Sequence, residues 1–261
     1  MSVILILDCE SVDTTALSLE RIIGIAGSEI TRKIGNLDLE KHYENHPDEE
    51  LSAPDLVFQQ VVGRPPSKFR YDETRWFHLT RSLSTEAYSS GIKPLGTMTD
   101  FLWNQLFLLV SDWLAPKEWE HFREDVETTL TSHHARLYRL KTSDSFHWGP
   151  YAMLVREAAF RAVEMGNHDY LRAPEIVEDI CICFQERFKF NLLDLFTFRA
   201  QPLIVKFGSS LIKPYYLATA MYYLYTVYHG NQLSIHTNTC YDGKNTVVAP
   251  NDIVYCELIP Q

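Results

Sequence analysis

The sequence predicts an α+β protein in which a mixed, mainly antiparallel sheet carries packed helices. Three observations lead to that class. Strand-like runs and helix-like runs are grouped along the chain rather than strictly alternating, which disfavours a doubly wound parallel sheet. The 261 residues are 46% hydrophobic and 22% charged, so the chain has the apolar content of an ordered protein with a substantial core. No glycine-rich phosphate loop and no internal repeat is present, which removes the common nucleotide-binding α/β folds.

Taken in order, residues 3–7 are aliphatic and β-branched and end at Asp8, the pattern of a buried strand. Residues 38–55 are acidic and contain Pro47 and Pro54, which predicts an exposed loop or a short charged helix. Arg64-Pro65-Pro66 favours extended chain and marks the expected boundary between an N-terminal strand and acidic segment, 1–66, and a main α+β domain, 67–261. Trp76, Phe77 and Leu79 predict a strand over 75–80. Ser84-Thr85-Glu86 can then start a brief helix that Gly91 stops before Ile92-Lys93-Pro94. Thr99 is the expected cap of a helix in which Leu102, Leu106, Leu109, Val110 and Trp113 recur at helical spacing. A second amphipathic helix follows Pro116, with Trp119, Phe122, Val126 and Leu130 on one side.

Residues 137–141 read as a strand, and Gly149-Pro150 as the opening of a helix with Met153, Leu154, Ala158 and Val163 inward until Gly166. Residues 176–184 fit either period. Residues 202–207 predict a strand, and Pro214 begins an aromatic helix whose Tyr215, Tyr216, Tyr222, Tyr223, Tyr225 and Tyr228 read as core with hydroxyls at the rim, or as a groove lining. Residues 233–237, 245–249 and 253–259 finish the chain as strands, with Asp242-Gly243 as a hairpin-type turn.

A net charge of -10 argues against a protein that coats phosphate backbones, because that affinity comes from cations releasing counterions. The basic residues Arg64, Lys68, Arg70, Arg75 and Arg81 form a local exception that reads as solvated surface. The five cysteines, Cys9, Cys181, Cys183, Cys240 and Cys256, are odd in number and include no C-x-x-C pair. They suit reduced thiols of a cytoplasmic protein, with Cys181 and Cys183 in the core, better than disulfides or a zinc site. Residues 3–7 are too short for a signal-peptide core, and the apolar stretches 101–114 and 215–228 are interrupted by polar groups, so no membrane association is expected.

One constellation points to chemistry. In Trp76-Phe77-His78-Leu79-Thr80-Arg81, strand alternation puts His78 and Thr80 on one face and Phe77 and Leu79 on the other. Gly91-Ile92 follows after a short helical stretch. A lone histidine on an aromatic strand also has a plainer reading, as a hydrogen-bonded core residue. The layout resembles the opening of the ADP-ribosyltransferase superfamily, in which a strand bearing H-x-T or H-G-[ST] precedes a helix and a G-[IL] turn. The resemblance covers about twenty residues and implies NAD as substrate, no metal, and transfer of ADP-ribose to an unidentified acceptor, with a protein partner among the candidates. It assigns His78 to orienting the ribose and Thr80 to supporting it. Tyr151, in Trp148-Gly149-Pro150-Tyr151, would stack on nicotinamide, and Arg81 or Arg75 would meet the pyrophosphate. Glu175, in Pro174-Glu175-Ile176-Val177, would stabilise the cleaved ribose, with Glu257 on the last strand as runner-up. The chemistry asks for such a carboxylate because positive charge develops on the sugar as the glycosidic bond breaks. The small-residue-rich strand usual around the tyrosine is missing here.

Two rivals stand beside this reading. One is a non-catalytic ligand-binding or protein-interaction domain of the same fold. The other is a metal-dependent phosphoesterase, since Gly166-Asn167-His168-Asp169 is similar to the G-N-H-[DE] element of calcineurin-like enzymes. Its companions are missing: Asp8-Cys9-Glu10 stands where D-x-H is needed, and a glycine ending a helix explains the tetrapeptide without metal. His133-His134, read on a strand, would point to opposite faces and could not share one ion.

Overall fold

The computed structural model describes residues 4–84 and 88–260. A short β1 (Ile6–Leu7) runs parallel to β2 (Glu73–Ser82), with Ile6 opposite Glu73 and Leu7 opposite Thr74. β3 (Tyr151–Met153) is antiparallel to β2, with Met153 opposite Phe77. β4 (Gln201–Ser209), β5 (Cys240–Asp242) and β6 (Ile253–Leu258) complete one open, mainly antiparallel sheet in the order β5-β3-β2-β4-β6. The expected strands at 75–80, 202–207 and 253–259 are therefore present, each rich in the aliphatic and aromatic side chains that fit a pleated surface. The α+β class holds.

Ten α-helices lie among the described residues: α1 (Val12–Ile23), α2 (Gly27–Gly35), α3 (Leu39–Asn45), α4 (Ala53–Val62), α5 (Thr99–Leu108), α6 (Pro116–Glu124), α7 (His133–Ser143), α8 (Glu175–Phe188), α9 (Leu192–Arg199) and α10 (Pro214–Tyr228). No helix among the described residues is long and apolar enough to cross a membrane.

The chain clusters into two compact units drawn from non-contiguous segments. The first takes residues up to Phe77, Ala152–Asn167 and Phe207–Tyr241. Its N-terminal part holds the expected strand as β1 and, in the acidic stretch, the short charged helix α3 that was one of the two expectations there, together with α1, α2 and α4, which were not expected. α1 begins with a reciprocal cap, in which the Ser11 hydroxyl accepts from the Thr14 backbone and the Thr14 hydroxyl from that of Ser11, and ends at Gly24 in the left-handed region (φ 76°). α4 starts from Ser52 and stops at Gly63 (φ 76°). α10 packs against α4, α1 and α2, with Leu217, Ala220 and Met221 fully buried; of its aromatic stripe Tyr216, Tyr223 and Tyr225 are core, Tyr222 is half-buried, and Tyr215 and Tyr228 are exposed. Trp76 meets Tyr216 edge-on at 5.0 Å and Tyr241 at 5.5 Å.

The second unit takes His78–Tyr151, His168–Lys206 and the chain from Asp242 onward. Its core is helical: Trp103 of α5, Trp119 and Phe122 of α6, Tyr138 of α7, and Ile180, Cys183 and Phe184 of α8 are all buried together. Cys181 and Cys183 are core residues, as expected.

Several local expectations are corrected. Residues 137–141 lie in α7, because Ser132 caps a helix by accepting from the Ala135 N–H. Gly149-Pro150 does not open a helix: β3 follows it, then a 3₁₀ turn, and Val163 is 78% exposed rather than inward. Residues 176–184 are helical in α8. Thr99 is the first residue of α5 rather than its cap, Met98 taking that position. Residues 233–237 end in a 3₁₀ turn, and of 245–249 only Val248 forms a bridge, to Ile92. Gly243 makes no hairpin and instead donates its N–H to the Pro150 carbonyl at 2.9 Å. The expected helix start at Ser84-Thr85-Glu86, beyond Ser84, and Val3 of the first strand lie outside the described residues.

Candidate functional site

His78 sits in the middle of β2, half-buried, and its Nδ1 lies 2.8 Å from the carbonyl oxygen of Tyr151. A carbonyl only accepts, so Nδ1 carries the proton and donates. Nε2 is then the ring's lone-pair nitrogen, and it has no protein partner among the described residues. Burial lowers the imidazole pKa, with the bond to Tyr151 opposing, which favours the neutral ring. The ring of Tyr88 stands edge-on to it, centroids 5.9 Å apart at 62°. Thr80, only 6% exposed, places its hydroxyl against the Tyr88 phenol, which burial pushes up to about 12 while Thr80 pulls it down. The sequence pairing of His78 with Thr80 is thus joined by a tyrosine that no periodicity marked. Its only trace in the sequence is a lone aromatic three positions before Gly91.

The Tyr151 segment is held by backbone contacts. Asn245 donates to the Gly149 carbonyl at 2.7 Å and Gly243 to that of Pro150. Gly149 is left-handed (φ 62°), and a Cβ there would come within 2.9 Å of the Tyr151 ring, so the residue is needed for both reasons. The Tyr151 phenol donates to the Phe146 carbonyl at 2.9 Å, and burial together with the Asp242 charge raises its pKa. It is the carbonyl of Tyr151, not its ring, that meets His78. The neighbouring Trp148 has a buried Nε1–H with no hydrogen-bond partner among the described residues.

The other expected site residues have partners of their own. Arg81 lies three positions beyond His78 and so faces the other side of β2. Its Nε donates to the Ala200 carbonyl at 3.1 Å and its Nη1 to that of Leu171 at 3.0 Å. Burial lowers its pKa and Asp169 raises it. Arg75 pairs with Glu73 at 2.7 Å, above Gly208. Glu175 begins α8 and pairs with Lys141 at 3.6 Å. Lys141 also reaches the buried carboxylate of Asp179 at 2.7 Å, which accepts from His134 at 3.0 Å. Among the described residues no hydrogen bond or ion pair joins Glu175 to His78, Thr80, Arg81 or Tyr151. Glu257 lies half-buried on β6.

His168 and Asp169 are held by local backbone: His168 Nε2 lies 2.7 Å from the Ala173 carbonyl, and Asp169 accepts from the N–H groups of Leu171 and Arg172 at 3.1 Å. His133 and His134 open helix α7 rather than lying on a strand. Among the described residues no group of three or more His, Cys, Asp and Glu side chains could hold a metal ion.

Comparison with protein-family models, with curated proteins and with solved structures finds no match to this chain.

Proposed function

We propose that this protein binds NAD around His78 and acts in the cytoplasm as an ADP-ribosyltransferase-like enzyme that passes ADP-ribose to an acceptor. One observation carries the reading: a largely neutral imidazole with its Nδ1 proton committed to the Tyr151 carbonyl and, among the described residues, no protein partner on its Nε2 lone pair. A ribose hydroxyl is a donor that such a nitrogen accepts, and a ring fixed at its far side does so without losing orientation. Thr80 supports the site through Tyr88.

Cleavage of the nicotinamide bond needs a carboxylate near the sugar as cationic character develops. Two glutamates compete for that part. Glu175 carries the ion pair with Lys141, and Glu257 stands on the last strand.

The test is nicotinamide release from NAD, with and without protein, nucleic-acid and small-molecule acceptors, by the unaltered protein and by His78→Ala, Glu175→Gln and Glu257→Gln. The reading expects His78→Ala to lose at least about tenfold, close to one good hydrogen bond to the sugar. One glutamate variant is expected to abolish turnover while keeping NAD affinity. Release that is indifferent to His78, or no binding of NAD at all, overturns the reading. Binding without release by the unaltered protein supports a ligand-binding module instead.

A further inference from the structure

We propose that Tyr88 is a positioning residue for His78: its ring, set edge-on to the imidazole and anchored through Thr80, holds the tautomer that donates from Nδ1 to the Tyr151 carbonyl and presents Nε2 to a ligand hydroxyl.

The geometry has three parts. The Tyr151 carbonyl fixes one nitrogen of the ring at 2.8 Å. That bond sets the ring's orientation, but it is the one polar restraint shown on a broad, roughly two-fold Cβ–Cγ torsion. The Tyr88 ring at 5.9 Å restrains that torsion from the side. Tyr88 would itself be a loose aromatic at the end of a turn were its phenol not set against the Thr80 hydroxyl, two residues along β2 on the same face as His78.

Among the described residues, three elements bring groups to the neighbourhood of His78. β3 offers a backbone carbonyl, the turn after β2 offers the Tyr88 phenol, and β6 brings the Cys256 thiol near Tyr88. Burial raises both the phenol and the thiol, which favours their neutral forms. His78 forms no ion pair among the described residues, and its lowered pKa is a burial effect, in keeping with a ring walled by neutral groups. Removing the Tyr88 ring opens that wall to water, which restores solvation of the imidazolium.

The test is an NMR titration of His78, with ring-nitrogen shifts to identify the tautomer, on the full chain and on Tyr88→Ala, Tyr88→Phe and Thr80→Val. The unaltered protein is expected to show the Nδ1–H tautomer and a midpoint below the ordinary histidine range. Tyr88→Ala is expected to raise the midpoint and mix the tautomers. Tyr88→Phe and Thr80→Val, close in shape to the originals, are expected to give smaller rises, and they decide the matter if Tyr88→Ala does not fold. An unchanged midpoint and tautomer in the folded variants overturns the proposal.

The ligand half of the inference rests on the NAD reading, so NAD affinity is followed at pH 8 and pH 6 in the same proteins. A steeper loss of affinity at pH 6 in Tyr88→Ala than in the unaltered protein supports the link, and parallel losses overturn it. Should the unaltered protein bind no NAD while the titration behaves as expected, the NAD reading fails and the positioning of His78 stands.

Discussion

The Nδ1–H of His78 reaches from β2 to the carbonyl oxygen of Tyr151 at the start of β3, 2.8 Å away. The bond fixes the tautomer, and burial lowers the pKa of the ring it fixes. A folded histidine pKa below the unfolded one means that the unfolded chain takes up a proton first as pH falls. Stability from this group is therefore complete above the ordinary histidine value and is lost as pH falls from there through the lower folded value. Thermal unfolding followed from pH 8 to pH 4 is expected to show a loss of stability beginning near the ordinary histidine pKa. His78→Gln is expected to flatten that part of the profile. An identical slope in both proteins would contradict the assignment.

The helical core of the second unit gives a stability prediction. Phe122 is fully buried and meets Trp103, Trp119, Phe184 and Phe188 at ring-centroid distances of 5.4–5.6 Å. Phe122→Ala removes those contacts and leaves a cavity, at an expected cost of about 3–5 kcal/mol in denaturant unfolding. A loss below about 1 kcal/mol would mean that this core closes over the gap.

How far the fold could be read from sequence follows from which force decided each segment. β2, β4, α6 and α10 were legible because their side chains alone settle the matter: Trp76, Phe77 and Leu79 on a strand, Trp119 and Phe122 at helical spacing, Pro214 at a helix start. β3 was not, since Met153, Leu154 and Ala158 have helical spacing. The pairing of Met153 with Phe77, and of the Leu154 and Val155 N–H groups with the Asn238 side chain, overrides that period. α7 was read as a strand at 137–141, although Ser132 carries the capping signal. Ser11 and Ser52 gave the same signal for α1 and α4. In the site, His78 and Thr80 were legible as a pair on one face. The Tyr151 contact runs through a backbone carbonyl, which no side-chain pattern records, and Glu175 has Lys141 as its partner.

Two glycines separate backbone from side-chain constraint. At Gly91 (φ 94°) an added Cβ would overlap the Val248 backbone carbonyl, whereas at Gly208 it would overlap the Glu73 carboxylate. Gly91→Ala is expected to cost at least about 1–3 kcal/mol, with no rescue by side-chain changes nearby. Gly208→Ala is expected to destabilise by displacing the Glu73–Arg75 pair, and adding Glu73→Ala should recover most of the loss. Denaturant midpoints of the singles and the double mutant check this. A double mutant no more stable than Gly208→Ala alone would contradict it.

Asp179 is 3% exposed and receives both Lys141 and His134. Asp179→Ala strands two donors that still reach water in part, so a loss of about 1–3 kcal/mol is expected. Glu175→Gln touches only the longer and more exposed contact to Lys141, so about 0–1 kcal/mol is expected. Unfolding curves in urea separate the two, and a larger loss for Glu175→Gln would contradict this account of the cluster.

The account turns on His78 Nε2 accepting from a sugar hydroxyl. Calorimetric titration of NAD into the unaltered protein and into His78→Ala at pH 8, with matched far-ultraviolet circular dichroism, tests this most directly. Saturable binding that weakens at least about tenfold on loss of the imidazole, with the fold intact, is the predicted result. Equal affinity in the two proteins, or no heat from either, contradicts it.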